Sequence, residues 1–164
     1  MTRDEQWQKF ADQVGGEDGM RLAEAYKEFY SVFDDTLVDW VANLFDPTIG
    51  GYYYSNGARD NEGFLPDIET TYSIFGYMEV TGMMEMYDGV WDDAIPDWLS
   101  DAVCDWMYEL QDEDTFFYHP QWGIEFTDAL LSRRGRDLNW ATDILNSLKL
   151  RPKYDTLSGL KGTE

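Results

Sequence analysis

The chain has 164 residues, a formal net charge of −21, seven Trp, eleven Tyr and a single cysteine. That length can bury one core, enclosing roughly two thirds of the unfolded surface. So acidic a field repels nucleic-acid phosphate and anionic membrane surfaces, which are bound through clustered Lys and Arg, and one cysteine excludes an intrachain disulfide or a four-thiolate zinc site. The charge is uneven: residues 1–126 hold 28 of the 33 acids and only Arg3, Lys9, Arg21, Lys27 and Arg59 as bases. This acidity reads as a solvated surface that keeps an aromatic-rich chain in solution, with a salt-adapted source as the other reading. The first residues lack the basic start and apolar core of a secretory signal, and no run of about 18 apolar residues occurs, so a soluble cytoplasmic protein is expected.

In chain order, a short helix is expected near Trp7 to Val14, closed by Gly15-Gly16. An apolar seam then steps by three or four through Leu22, Tyr26, Phe29, Phe33, Leu37, Trp40 and Leu44. It predicts one long helix over about 20–46, or two joined where Asp34-Asp35-Thr36 can cap a second. Asp46-Pro47 stops it, Gly50-Gly51 turns the backbone, and Tyr52, Tyr53 and Tyr54 form an aromatic elbow. A second helix is predicted over about 66–81, with Pro66 in its first turn, Gly82 past its end, and Ile68, Tyr72, Phe75 and Met78 or Tyr77 buried. After an Asp88-Gly89 turn, a third helix over about 96–111 buries Leu99, Val103, Trp106 and Leu110. Asp112 to Tyr118 repeats the elbow, Ile124 to Leu131 makes a short helix, and Leu138 to Leu150 buries Leu138, Ala141, Leu145 and Leu148 before Arg151-Pro152. The aromatic triplets are too short to pair into a sheet that carries a core.

The elements repeat. Asp39-Trp40-Val41 with Leu44 matches Asp105-Trp106-Met107 with Leu110, Asp46 matches Asp112, and Tyr52-Tyr53-Tyr54 matches Phe116-Phe117-Tyr118. Pro66-Asp67-Ile68 is paired with Arg136-Asp137-Leu138 as the opening of the next helix. The expected fold is all-α, a single domain over 1–164 with repeat-like units at about 36–82 and 97–150.

This order of helix, Asp-Pro turn, Gly-Gly-aromatic, polar loop and helix opening with Pro-Asp resembles the repeat of the α/α toroids. These include terpenoid cyclases, protein prenyltransferase β subunits and, more loosely, heparinase-type glycan-processing enzymes. The resemblance is good over 36–82 and poor over 97–150, where Thr115 stands in place of a glycine. It implies antiparallel helical hairpins of α/α-toroid type forming an incomplete ring. The open faces, around Leu145 and Leu148, would be covered by the remainder of a larger chain or by a partner subunit.

Candidate chemistry follows from the elbow. Tyr52, Tyr53 and Tyr54 with Arg59 and His119 are candidates to bind substrate, and Asp67, Glu69 and Asp60 are candidate catalytic carboxylates, with Glu62 nearby. Aromatic faces beside paired carboxylates suit a sugar and its cleavage. The plainer reading is that the tyrosines plug a hairpin core and that Asp67 and Glu69 favour the positive end of the helix they open. Asp112-Glu113-Asp114-Thr115 resembles the acidic motif of the cyclases but reads as a turn. Asp34-Asp35 with Asp39 resembles an aspartate-rich magnesium site but reads as an acidic helix face, and Cys104 with His119 does not make a zinc set. Arg133, Arg134 and Arg136 are expected to pair with the acidic part of the chain. No metal or cofactor is implied. A glycan hydrolase or lyase domain is the favoured expectation, with a non-catalytic helical interaction module and an isoprenoid-handling enzyme as alternatives.

Overall fold

A computed structural model describes residues 2–81, 94–114 and 116–156. Gly82 and the Asp88-Gly89 turn lie outside them. The chain is all-α apart from one two-residue strand pair and isolated bridges among those residues, and it divides into two compact units, Met1–Trp40 and Val41–Glu164. Among the described residues, no helix is long and apolar enough to cross a membrane.

The first unit is built on a helical hairpin. Helix α1 (Arg3–Val14) begins earlier than its apolar residues indicate because Thr2 and Glu5 form a capping box: the Glu5 amide donates to Thr2 Oγ1 at 3.3 Å and the Thr2 amide to Glu5 Oε2 at 2.8 Å. The chain reverses at Gly15 and Gly16 into α2 (Gly16–Tyr30). Helix α2 crosses α1 so closely at Gly19 that an added Cβ would collide with the Ala11 carbonyl oxygen. Only Ala11, Gly19 and Ala23 are buried in these two helices, while Tyr26 stacks on Trp7 at 6.4 Å and meets the edge of Phe10 at 5.6 Å. The apolar run from Leu22 is therefore two helices and not a buried seam. Helix α2 ends at Tyr30, α3 (Asp35–Ala42) starts where Asp34 Oδ1 accepts from the Leu37 amide, and Leu22, Tyr26, Phe29 and Trp40 are exposed. The spacing reports helix correctly; nothing in these helices covers its apolar edge.

In the second unit, β1 (Phe45–Asp46) pairs with β2 (Gly51–Tyr52), with Phe45 opposite Tyr52. Asp46 Oδ1 ties the turn by accepting from the amide and hydroxyl of Thr48 at 2.9 and 2.7 Å. Both glycines are required here: Gly50 has φ +98°, and a Cβ on Gly51 would sit 2.5 Å from the Trp106 ring. The short α4 (Asn56–Arg59) leads to α5 (Ile68–Val80), whose N-cap is Asp67, so Pro66 precedes the cap and is not part of the first turn. Helix α6 (Asp97–Leu110) buries Leu99, Val103, Trp106 and Leu110 on one face.

The second elbow repeats part of the bonding of the first, although the Tyr118 hydroxyl donates to the Glu109 carbonyl at 2.8 Å where the Tyr53 hydroxyl donates to Asp46. The Tyr53 amide donates to the Leu44 carbonyl and the Tyr118 amide to that of Leu110, at 2.9 and 3.1 Å, and Asp112 Oδ1 accepts from the Asp114 amide as Asp46 Oδ1 does from the Thr48 amide. Gln111 bridges Phe117 as Phe45 pairs with Tyr52. The ladder thus aligns Tyr52 with Phe117 rather than Phe116, because the second loop is one residue shorter. The Tyr52 amide docks on the Thr71 hydroxyl at 3.1 Å, and in the second elbow an amide two residues past the position equivalent to Tyr52, that of His119, docks on the Thr127 hydroxyl at 2.8 Å. Thr127 lies in α7 (Gly123–Ala129), and Asp137 sits well inside α8 (Leu131–Ser147) instead of opening a helix.

Ile68 and Phe75 of α5, Val103 and Met107 of α6, Phe117 and Ile144 are among the residues that form this core. Leu145 and Leu148 are buried within it, so the face expected to lie open is closed by the chain itself. Beyond α8, the segment around Tyr154 is held by the side-chain amide of buried Gln111, which accepts from the Tyr154 amide at 2.9 Å and donates to its carbonyl at 3.2 Å.

Candidate functional site

Five side chains meet where the second elbow reaches the start of α5. Asp67 Oδ1 caps α5 by accepting from the Thr70 amide at 3.1 Å, and its Oδ2 lies 3.0 Å from His119 Nε2. His119 Nδ1 accepts from the amides of Gln121 and Trp122 at 3.1 and 3.3 Å. An imidazole nitrogen that accepts twice carries no proton, so this network assigns the ring hydrogen to Nε2, from which it is donated to Asp67. Arg133 of α8 extends its fork over three carboxylates: Nε to Asp137 at 3.0 Å, Nη1 to Glu69 at 3.2 Å and Nη2 to Asp67 at 3.7 Å. Asp137 and Arg133 form an i,i+4 pair on α8, facing α5.

Burial pushes the Asp67 carboxyl up, but the His119 hydrogen bond, the Thr70 amide and the Arg133 charge outweigh it and hold the group below the usual carboxylate range. Asp137 goes the other way: burial raises it by more than Arg133 lowers it. Asp67 is therefore an ionised acceptor, unsuited to donating a proton to a leaving group, and His119, 3% exposed with both nitrogens engaged, has no atom free for proton transfer.

The other candidates lie apart in role. Tyr52 is enclosed in the core, its phenol pushed up to about 12 by burial. Tyr53 donates to Asp46 Oδ2 at 3.0 Å and so braces the first turn, while Tyr54 stands exposed. Arg59 donates to the Asn43 carbonyl and to Asp60 at 2.8 Å, and the bond to Asp60 holds that carboxyl below its usual range. The structure thus brings Asp67, Glu69 and His119 together and leaves Asp60, Arg59 and the tyrosines outside that cluster. Arg133 does pair with the acidic part of the chain, and Arg134 and Arg136 lie over the rings of Phe116 and Trp140 at 4.1 and 5.6 Å. Asp137 was missed as a partner; the available signal was an acid four residues after an arginine on an otherwise apolar helix face.

Beside the cluster the loops show apolar side chains. Trp122 lies flat on His119, ring centroids 4.1 Å apart, and is itself 58% exposed. Gln121 joins this turn to the loop before α5, accepting from the Leu65 amide at 2.9 Å and donating to the Gly63 carbonyl at 2.8 Å; Phe64 and Leu65 of that loop are also exposed. Among the described residues, no group of three or more His, Cys, Asp and Glu is placed to hold a metal ion. No family model matches the chain, and no curated protein or solved structure matches it.

Proposed function

We propose that this protein is a non-catalytic helical interaction module that binds a partner chain through the α1–α2 hairpin. One observation carries the reading: the two helices bury only Ala11, Gly19 and Ala23 while Met20, Leu22 and Phe29 stand exposed on α2. A helix of this length draws most of its stability from burying an apolar face, and although Trp7 and Phe10 pack on Tyr26 between the two helices, the side of α2 that carries Leu22 and Phe29 leaves that source unused. The engagement of Asp67 and His119 within the fold supports the same reading, since it ties up two of the groups a glycan-cleaving site would use. The test is selection of amphipathic helical peptides of varied charge against the whole chain. Binders should be recovered, and their binding should be lost in the Leu22→Gln/Phe29→Gln variant; failure to recover any would end the reading.

A second reading rests on Trp122. An exposed indole held flat by a buried imidazole, with Glu69 close to the same cluster, is a platform on which the apolar face of a neutral sugar stacks. It favours glycan binding without cleavage. Titration with a panel of oligosaccharides should perturb tryptophan fluorescence in the parent and not in Trp122→Ala; no perturbation by any sugar would dispose of it.

A further inference from the structure

The exposed edge of α2 has a spacing of its own. Leu22, Ala25 and Phe29 follow at i, i+3 and i+7, and Val32 continues the step just past the end of the helix. All four are exposed, Phe29 at 65%. The side of α2 that faces α1, carrying Gly19, Ala23 and Tyr26, lies about a quarter turn away by helical geometry. A 3,4 apolar step on a helix is the pattern that accepts a second helix with its knobs in the gaps, and small Ala25 between Leu22 and Phe29 leaves such a gap. Alongside runs a row of charge. Arg21 pairs with Asp18 at 3.7 Å and Lys27 with Glu24 at 2.8 Å, whereas Glu17 and Glu28 have no cation partner among the described ion pairs. An open depression next to the stripe is lined by Met20 and Ala25 and by Arg21, Glu24, Lys27 and Glu28, of which Arg21 is paired with Asp18 and Lys27 with Glu24.

We propose that this stripe takes an amphipathic helix with basic residues flanking its apolar face, which deepens the interaction reading above and rests on it. Charge selects the occupant. A second copy would bring together two chains of net charge −21 and run the Glu17 and Glu28 row beside acids of its own kind, whereas a cationic helix places Lys or Arg along that row.

Two synthetic helices with the same leucine a/d pattern decide it, one with Lys and one with Glu at the flanking positions, each titrated by fluorescence anisotropy into the whole protein. The Lys helix is expected to bind and the Glu helix to bind at least about tenfold more weakly, and Leu22→Gln/Phe29→Gln, which leaves the charge unchanged, should weaken the Lys helix about tenfold or more, as removal of central apolar anchors does. Circular dichroism of the variant checks that its helices persist. Equal binding of the Lys helix to parent and variant would reduce the effect to non-specific charge and overturn the proposal. So would a sedimenting dimer of the parent that the double substitution dissolves, since the occupant would then be a second copy. If the Glu helix binds through the stripe and the Lys helix does not, the interaction reading stands and the basic partner falls. If neither binds and peptide selection also fails, the interaction reading itself falls.

Discussion

The hairpin and the larger unit use similar apolar vocabularies and reach opposite results. In Met1–Trp40, aromatics pack against one another along the rim of two helices that touch through glycine and alanine; in Val41–Glu164, Phe75, Met107, Phe117 and Leu145 are enclosed by several helices at once. Periodicity was present in both. Burial requires a further element packed over the face: in the larger unit α5 and α6 both pack on α8, whereas in the smaller one α3 leaves the edge of α2 exposed. Apolar spacing therefore identifies a helix, while the number of neighbours decides whether its seam is core or surface.

That contrast predicts where substitutions are felt. The largest loss is expected from Arg133→Met, about 3–5 kcal/mol by chemical denaturation, because it leaves Asp137, Glu69 and Asp67 facing one another without their shared cation. The same network has a pH signature. Asp67 is depressed in the folded chain, so its contribution is present above the ordinary carboxylate range and lost as pH falls through its lowered value; Asp67→Asn should flatten that acid limb. Asp137, raised by burial, works in the opposite direction, costing stability as pH rises through its elevated value. His119→Ala should lose about 2–3 kcal/mol, since two amides and one carboxylate oxygen lose their partner. Gly51→Ala, forced against the Trp106 ring, should cost about 1–3 kcal/mol, seen as a lower thermal midpoint. At the bottom of the scale, Leu22→Gln and Phe29→Gln should each change stability by no more than about 0.5 kcal/mol while altering binding. A loss of several kcal/mol there would erase the distinction between the two units.

Much of the helical plan was legible in single residues. Leu99, Val103, Trp106 and Leu110 read as one face and form one, and Asp46, Gly50 and Gly51 read as a turn and make it. The elbow repeat was legible too, because turns are local chemistry; the error of one residue in pairing Tyr52 with Phe116 came from a loop whose length no residue announces. The opening of the last helix was misplaced at Leu138, since the start of α8 at Leu131 has no side-chain cap to mark it. The cluster of Asp67, His119 and Arg133 was not legible as a unit. Its members are 14 to 66 residues apart, and their meeting depends on how α5, α8 and the second elbow pack. Each was singled out for its chemistry, yet the chemistry of each is set by the other two.

Gln111 also bears on where this chain can be cut. Its side-chain amide serves the backbone of Tyr154 as a neighbouring strand would, and the Tyr108 hydroxyl adds a bond to the Arg151 carbonyl at 2.8 Å. A chain ended at Leu150, the apparent finish of the helical core, would strand a buried amide with neither of its partners and uncover the flank of α6. Limited proteolysis should therefore spare the peptide bonds between Leu150 and Tyr154 in the folded protein, and a truncation at Leu150 should melt at a lower temperature than one at Thr156.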